Sequence, residues 1–258
     1  MRRSACILAA TVAILGATSA VALADTLIGS DAAEQLLGTP FADQIYGEAG
    51  DDRLVGDASG DYLEAGGGND EIEGGDGVDL VIGGTGDDRI DAGAGFDVVY
   101  AGAGADVALG GTGADTLFGQ AGADQLFGGS GADRIYASLG GDFVDAGSGA
   151  DRISSEQDSA TILAGPGADV VTADGGAIEV SGGGGRDRIR TGAFADRVNG
   201  GGASDSIDTG AGDDMVRSRD GKRDRVRCGE GRDSIDADPV DLLSGCEIAA
   251  TLRRLRIG

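Results

Sequence analysis

Apolar side chains recur at one fixed interval along most of this chain. From Ile45 they step by nine residues through Leu54, Leu63 and Ile72 to Val216, and all twenty positions are apolar, Ala108 being the smallest. Two residues before each stands a second fixed position. It is Asp at eighteen of the twenty sites from Asp43 to Asp214, the exceptions being Ala160 and Ile178. After Asp214 one residue is inserted and the pattern resumes with Asp224/Val226 and Asp233/Ile235. It also runs backwards through Glu34/Leu36 to Asp25/Leu27.

A period of nine fits neither an amphipathic helix nor an alternating strand. Each unit has six Gly-rich residues ending in Asp, which is turn chemistry, and then three residues of the form x-apolar-x. The triplet predicts a short strand with one side chain inward. One turn plus one strand reverses the chain, so two units close a coil of eighteen residues. Equivalent residues of successive coils then stack in parallel register, about 4.8 Å apart. The expected fold is all-β: a right-handed parallel β-roll, or β-solenoid, over 25–236 with a core of stacked Ile, Leu and Val.

The ends read differently. Residues 1–24 begin Met1-Arg2-Arg3, run without charge from Ser4 to Ala24 and close on Ala22-Leu23-Ala24. That is the layout of a secretory signal peptide, and it predicts a secreted, extracellular protein without a membrane span in its mature form. Residues 237–258 leave the nine-residue pattern. Ile248, Leu252 and Leu255 are spaced as on a helix, and a solenoid needs its open end covered, so 237–258 is expected to be a C-terminal cap. Arg253, Arg254 and Arg256 stand ready to clamp an acidic roll.

Composition demands something beyond burial. Fifty-one of 258 residues are Gly, aromatics supply 4 %, and 45 acidic against 20 basic residues leave a net charge of −25. A chain this charged and this poor in large apolar groups does not bury enough surface to order itself. The carboxylates therefore need a counter-charge. Nucleic acid would be repelled. The alternatives are a cation or a basic partner surface.

"GGDGVD" (74–79), "GGTGDD" (83–88), "GGTGAD" (110–115), "GGSGAD" (128–133) and "GGGGRD" (182–187) share the form GGxGxD, each followed by x-apolar-x. In this the chain resembles the RTX, or haemolysin-type, calcium-binding nonapeptide family over residues 25–236. The resemblance implies Ca2+ held between stacked turns. Calcium takes six to eight oxygen ligands, and glycine lets backbone carbonyls converge on the ion. The metal residues expected are Asp70, Asp79, Asp88, Asp97, Asp106, Asp115, Asp124, Asp133, Asp151, Asp169, Asp187 and Asp205, holding on the order of ten ions.

The coil sorts these residues onto two flanks. From Asp43 in steps of eighteen to Asp205, all ten positions are Asp. On the other flank, from Asp52, the series fails at Ala160 and Ile178. One ladder should be continuous and the other interrupted around 155–178, with Glu156 or Asp158 placed to rescue it. Cys228 and Cys246 lie one coil apart, which predicts a disulfide across neighbouring rungs. Ile82, Tyr100, Phe118 and Tyr136 recur every eighteen residues as an outward ladder. Arg53, Glu71 and Arg89 alternate in sign across rungs, as surface pairs.

There is no His, and no mature Cys lies outside the expected disulfide. Ser-His and Cys-His nucleophiles are therefore absent, and no separate domain is left over for catalysis. The reading that follows is a non-enzymatic secreted protein that folds on binding extracellular Ca2+, with a structural or surface role. Its alternatives are an adhesin using the aromatic ladder on a cell-surface protein or glycan, and a solenoid acting on acidic polysaccharide as a lyase or epimerase.

Overall fold

The computed structural model describes residues 24–247. The stretches read as signal peptide and as the helical part of the cap lie outside the described residues, apart from Ala24. Twenty-five strands, from β1 (Thr26–Ile28) to β25 (Leu242–Ser244), form two parallel sheets. The thirteen odd-numbered strands make one sheet and the twelve even-numbered strands the other, each in sequence order. The chain thus alternates between sheets at every strand, as turn-strand units of nine require. The register is eighteen residues: Ile45 pairs with Leu63, and Leu117 with Ile135.

The inward residue of each strand builds the core. Ile45, Leu54, Leu63, Ile72, Leu117 and Leu126 have no more than 1 % of their surface exposed. The core is one side chain deep per strand. Ala65, Ala92, Ala101 and Ala146 are buried at the bend between the sheets, a position that Thr191, Thr209 and Cys228 fill further along the roll.

From β4 (Arg53–Ala58) to β12 (Gln125–Ser130) the strands run six or seven residues, twice the expected length. The reason is that the glycine turns stack in the same register as the strands. Gly66 pairs with Gly84 and Gly111 with Gly129, so the ladder continues around the bend.

The roll also runs on past 236. Leu242–Ser244 pairs with Arg225–Arg227 in a seventeen-residue step, and Leu243 packs on the core. The Cys228–Cys246 disulfide joins this last rung, with α-carbons 5.0 Å apart and a sequence separation of eighteen. In the chain-entropy view a loop of this size contributes about 3 kcal/mol. Cys228→Ser with Cys246→Ser should lower the melting temperature of the calcium-loaded protein by several degrees, which calorimetry with and without reductant will measure.

The outward aromatics stack. Tyr100 and Phe118 lie 4.7 Å apart at 4°, and Phe118 and Tyr136 lie 4.8 Å apart at 7°. Their faces are turned to one another along the roll, so they stiffen the sheet and present their edges outward. Arg53 pairs with Glu71 at 3.6 Å and with Glu73 at 2.8 Å. Among the described residues Arg89 has no ion pair.

Candidate metal centre

The turn that ends in Asp sets the position of everything in the site. In "GGSGAD" (128–133) the second and fourth residues, Gly129 and Gly131, have φ of 99° and 141°, a region that L side chains avoid. Their α-carbons stack directly on the carbonyl oxygens of Gly111 and Gly113 one coil below. A Cβ at either position would occupy the same space as the carbonyl. Stacking therefore favours glycine here, although Glu48, Asp57, Gln120 and Ser138 hold the second position and Ser59 and Ala203 the fourth, all at positive φ; the carbonyls point along the roll axis into the next turn.

The aspartate closes the turn from inside. Each side chain is buried, with at most 3 % exposure from Asp43 to Asp233. One carboxylate oxygen, Oδ1, accepts the backbone N–H of the Asp one coil below. On the first flank Asp79 N donates to Asp97 at 2.8 Å, Asp97 to Asp115 at 2.9 Å and Asp115 to Asp133 at 2.8 Å. This series runs unbroken from Asp25 through Asp205 to Asp224.

On the second flank it runs from Glu34 to Asp142, stops, and resumes where Ile178 N donates to Asp196 at 2.9 Å. The interruption lies where Ala160 and Ile178 replace Asp. Glu156 and Asp158 do not fill it. Both are exposed; Asp158 accepts the N–H of Gly140 and Glu156 the hydroxyl of Ser154.

The second oxygen is left free. Oδ2 is buried without a hydrogen-bond partner in nineteen aspartates, among them all twelve expected metal residues. Leaving one such oxygen unsatisfied costs about 1–3 kcal/mol, more when it is charged. A column of them at every coil is unfavourable unless something binds there.

In the turns that begin with glycine, Oδ2 converges with a carbonyl. A Cβ built on Gly110 would lie 2.9 Å from Asp115 Oδ2 and 2.7 Å from Gly128 O, and one built on Gly128 would lie 2.7 Å from Asp133 Oδ2 and 2.5 Å from Ala146 O. Among the described residues no three carboxylates converge. Further ligands must then be carbonyl oxygens, which the stacked turns supply. A set of oxygens with carboxylate charge fits a hard divalent cation, and a site without His or free thiol is unsuited to zinc.

Seven further aspartates share this geometry outside the expected set: Asp52, Asp61, Asp142, Asp196, Asp214, Asp224 and Asp233. Their loops lack one or more glycines or lie beyond the inserted residue. The Asp register itself, independent of glycine count, is the signal that identifies them.

Burial is also visible in the titration of the ladder. It pushes the carboxyls of Asp88, Asp97, Asp124 and Asp169 up to about 7, and those of Asp61, Asp133 and Asp205 up to about 6. The backbone N–H bond opposes this, and neighbouring carboxylates in the column reinforce it. Without metal, Asp88, Asp97, Asp124 and Asp169 thus sit between protonation states at neutral pH.

The profile of the RTX calcium-binding nonapeptide repeat (4 copies) matches residues 28–63, 55–90, 82–117, 100–135, 109–144, 118–153, 127–161 and 181–216. The chain belongs to the RTX calcium-binding nonapeptide repeat family. The matches cover most of the roll and leave a gap between 161 and 181, the stretch that contains Ile178 and the loop ADGGAI (173–178), which lacks the GGxGxD form. No curated protein matches the chain. The RTX roll is a calcium-binding repeat architecture, all-β and built from eighteen-residue coils.

Proposed function

We propose that this RTX protein is secreted, folds by binding calcium outside the cell and acts as a structural or surface protein without catalysis. The carrying observation is the column of buried Oδ2 atoms. Asp70, Asp79, Asp88, Asp97, Asp106, Asp115, Asp124, Asp133, Asp151, Asp169, Asp187 and Asp205 are its metal residues, with carbonyls of adjacent turns completing each site. Bound calcium supplies the positive charge that lets buried carboxylates remain ionised.

The protein's own groups do the rest. Oδ1 fixes each carboxylate by accepting the backbone N–H below, so that in the closed coil Oδ2 is aimed into the site. The glycines bring the carbonyls within reach. Each coil orders the next, so binding and folding are coupled and nearest-neighbour in character. The roll is pinned at its C-terminal end by the disulfide, which forms in an oxidising compartment and agrees with secretion. Among the described residues no helix is long and apolar enough to cross a membrane.

Circular dichroism of the purified protein during a calcium titration from zero to 10 mM tests this, with magnesium as control. The expected result is a cooperative, calcium-specific coil-to-β transition in the range of about 10⁻⁴–10⁻³ M typical of extracellular modules. A β spectrum already complete in chelator at pH 8 would refute the reading.

A further inference from the structure

The two faces of the roll carry different charge. Each inward residue is flanked by two outward ones. On the twelve-stranded sheet these outward positions hold Arg53, Arg89, Arg197 and Arg217 against six carboxylates. The thirteen-stranded sheet has six arginines, Arg134, Arg152, Arg188, Arg190, Arg225 and Arg227, and only Glu64 and Asp208 as acids. In a chain of net charge −25 this face is cationic.

The six arginines lie in one block, from β13 (Arg134–Tyr136) to β23 (Arg225–Arg227), and all are exposed. Arg134 and Arg152 are direct cross-strand neighbours. Like charges placed so repel one another. Arg190 approaches Asp174 at 3.9 Å and Arg227 approaches Asp208 at 3.8 Å. Among the described residues Arg134, Arg152, Arg188 and Arg225 have no ion-pair partner. Acids are abundant in this chain, yet none is placed against these four.

We infer that this arginine row on the thirteen-stranded sheet binds a linear anionic glycan. Such binding rests on the calcium reading, because the aspartate flanks on either side must be neutralised for the face to attract an anion. Guanidinium forks pair with planar or tetrahedral oxyanions, and the chain places arginine here although it also has a lysine elsewhere, Lys222. The row spans five strand intervals, about 24 Å, which suits an extended polymer better than a single small ion.

Next to it lies an apolar stripe, Leu80, Ile82, Val98, Tyr100 and Phe118, ending on Tyr136 beside Arg134. Only Tyr136 of the stripe is exposed, at 39 %; the rest are half-buried, and the stacked rings present their edges. An apolar strip continuous with a cationic row fits the C–H faces of a glycan that carries carboxylate or phosphate. A nucleic acid duplex, with a denser charge of one per about 1.7 Å, meets the acidic remainder of the molecule.

The calcium-loaded protein, its fold first verified by circular dichroism, is to be titrated with a polyuronate, a glycerol-phosphate polymer, neutral dextran and double-stranded DNA. Binding of one or both anionic glycans, and weaker binding of dextran and DNA, is expected. The first two arms identify the oxyanion. Combining Arg134→Gln, Arg152→Gln, Arg188→Gln and Arg225→Gln should weaken glycan binding at least tenfold with spectrum and calcium midpoint unchanged. Arg89→Gln with Arg197→Gln, on the other sheet, should leave binding as it was.

If the fourfold variant does not reach the β spectrum, Arg134→Gln/Arg152→Gln and Arg188→Gln/Arg225→Gln are measured separately. Each pair should then lose at least threefold. Unchanged binding in the folded variants, equal binding of dextran, or tighter binding of DNA overturns the inference. So does a folded, calcium-loaded wild type that binds no anionic glycan, and that outcome leaves the calcium reading standing. Absence of the calcium-driven fold overturns both.

Discussion

In chelator at pH 8 the protein is expected to give the circular dichroism of an unfolded chain, and acidification to pH 5 is expected to restore the β signal with no calcium present. The ladder carboxyls are raised from 3.8 by burial, to about 7 at Asp88, Asp97, Asp124 and Asp169 and to about 6 at Asp61, Asp133 and Asp205. A raised value means that the folded roll binds these protons more tightly than the unfolded chain does. Their contribution to stability is complete below about pH 4 and is lost as pH rises through 6 and 7.

Protons and calcium are thus alternative ways to neutralise the same column. Protons already favour the folded roll, so less calcium should be needed to reach half of the β signal as pH falls from 8 to 6. Coil spectra at both pH 5 and pH 8 in chelator would show that burial of these carboxylates is not what opposes folding.

Gly131→Ala should be among the most damaging single methyl additions in the protein. Gly131 has φ of 141°, and a Cβ there would run into the carbonyl oxygen of Gly113. The backbone cost alone is about 1–3 kcal/mol, and the clash with an immobile carbonyl adds to it. The adjacent turn would be pushed apart, and with it the carbonyls beside Asp115 and Asp133. Gly184→Ala is the matched control. That glycine is exposed and lacks positive φ, and a methyl group added there would meet nothing within 4 Å. Calcium midpoints should rise several-fold for Gly131→Ala and stay within error for Gly184→Ala. Equal midpoints would mean that the turns do not stack in van der Waals contact.

Most of this architecture is legible in the sequence because the repeat is so regular. Asp and the apolar residue two positions on recur in fixed register, so the two sheets, the two flanks, the break at Ala160 and Ile178 and the Cys228–Cys246 disulfide all follow from counting in eighteens. The division of labour within each carboxylate does not follow. That Oδ1 is committed to the backbone of the coil below is a three-dimensional fact, since its partner lies eighteen residues away in the chain. The extended strands from β4 to β12 are hidden for a related reason. Glycine discourages strand pairing in general, yet here its lack of a side chain is what lets turn stack on turn. The arginine row is hidden too, because its members are scattered along the second half of the chain and meet only on the folded face.

The eighteen-residue register has a kinetic side. Almost every strand pairing in this molecule joins residues eighteen apart, so the mean contact separation relative to chain length is roughly 0.07. That value belongs with helical bundles, although the protein is built wholly of strands. No coil has to wait for a distant segment before it can form. A chain emerging from a narrow pore into calcium could therefore close one rung at a time behind the exit, each finished coil serving as the template for the next.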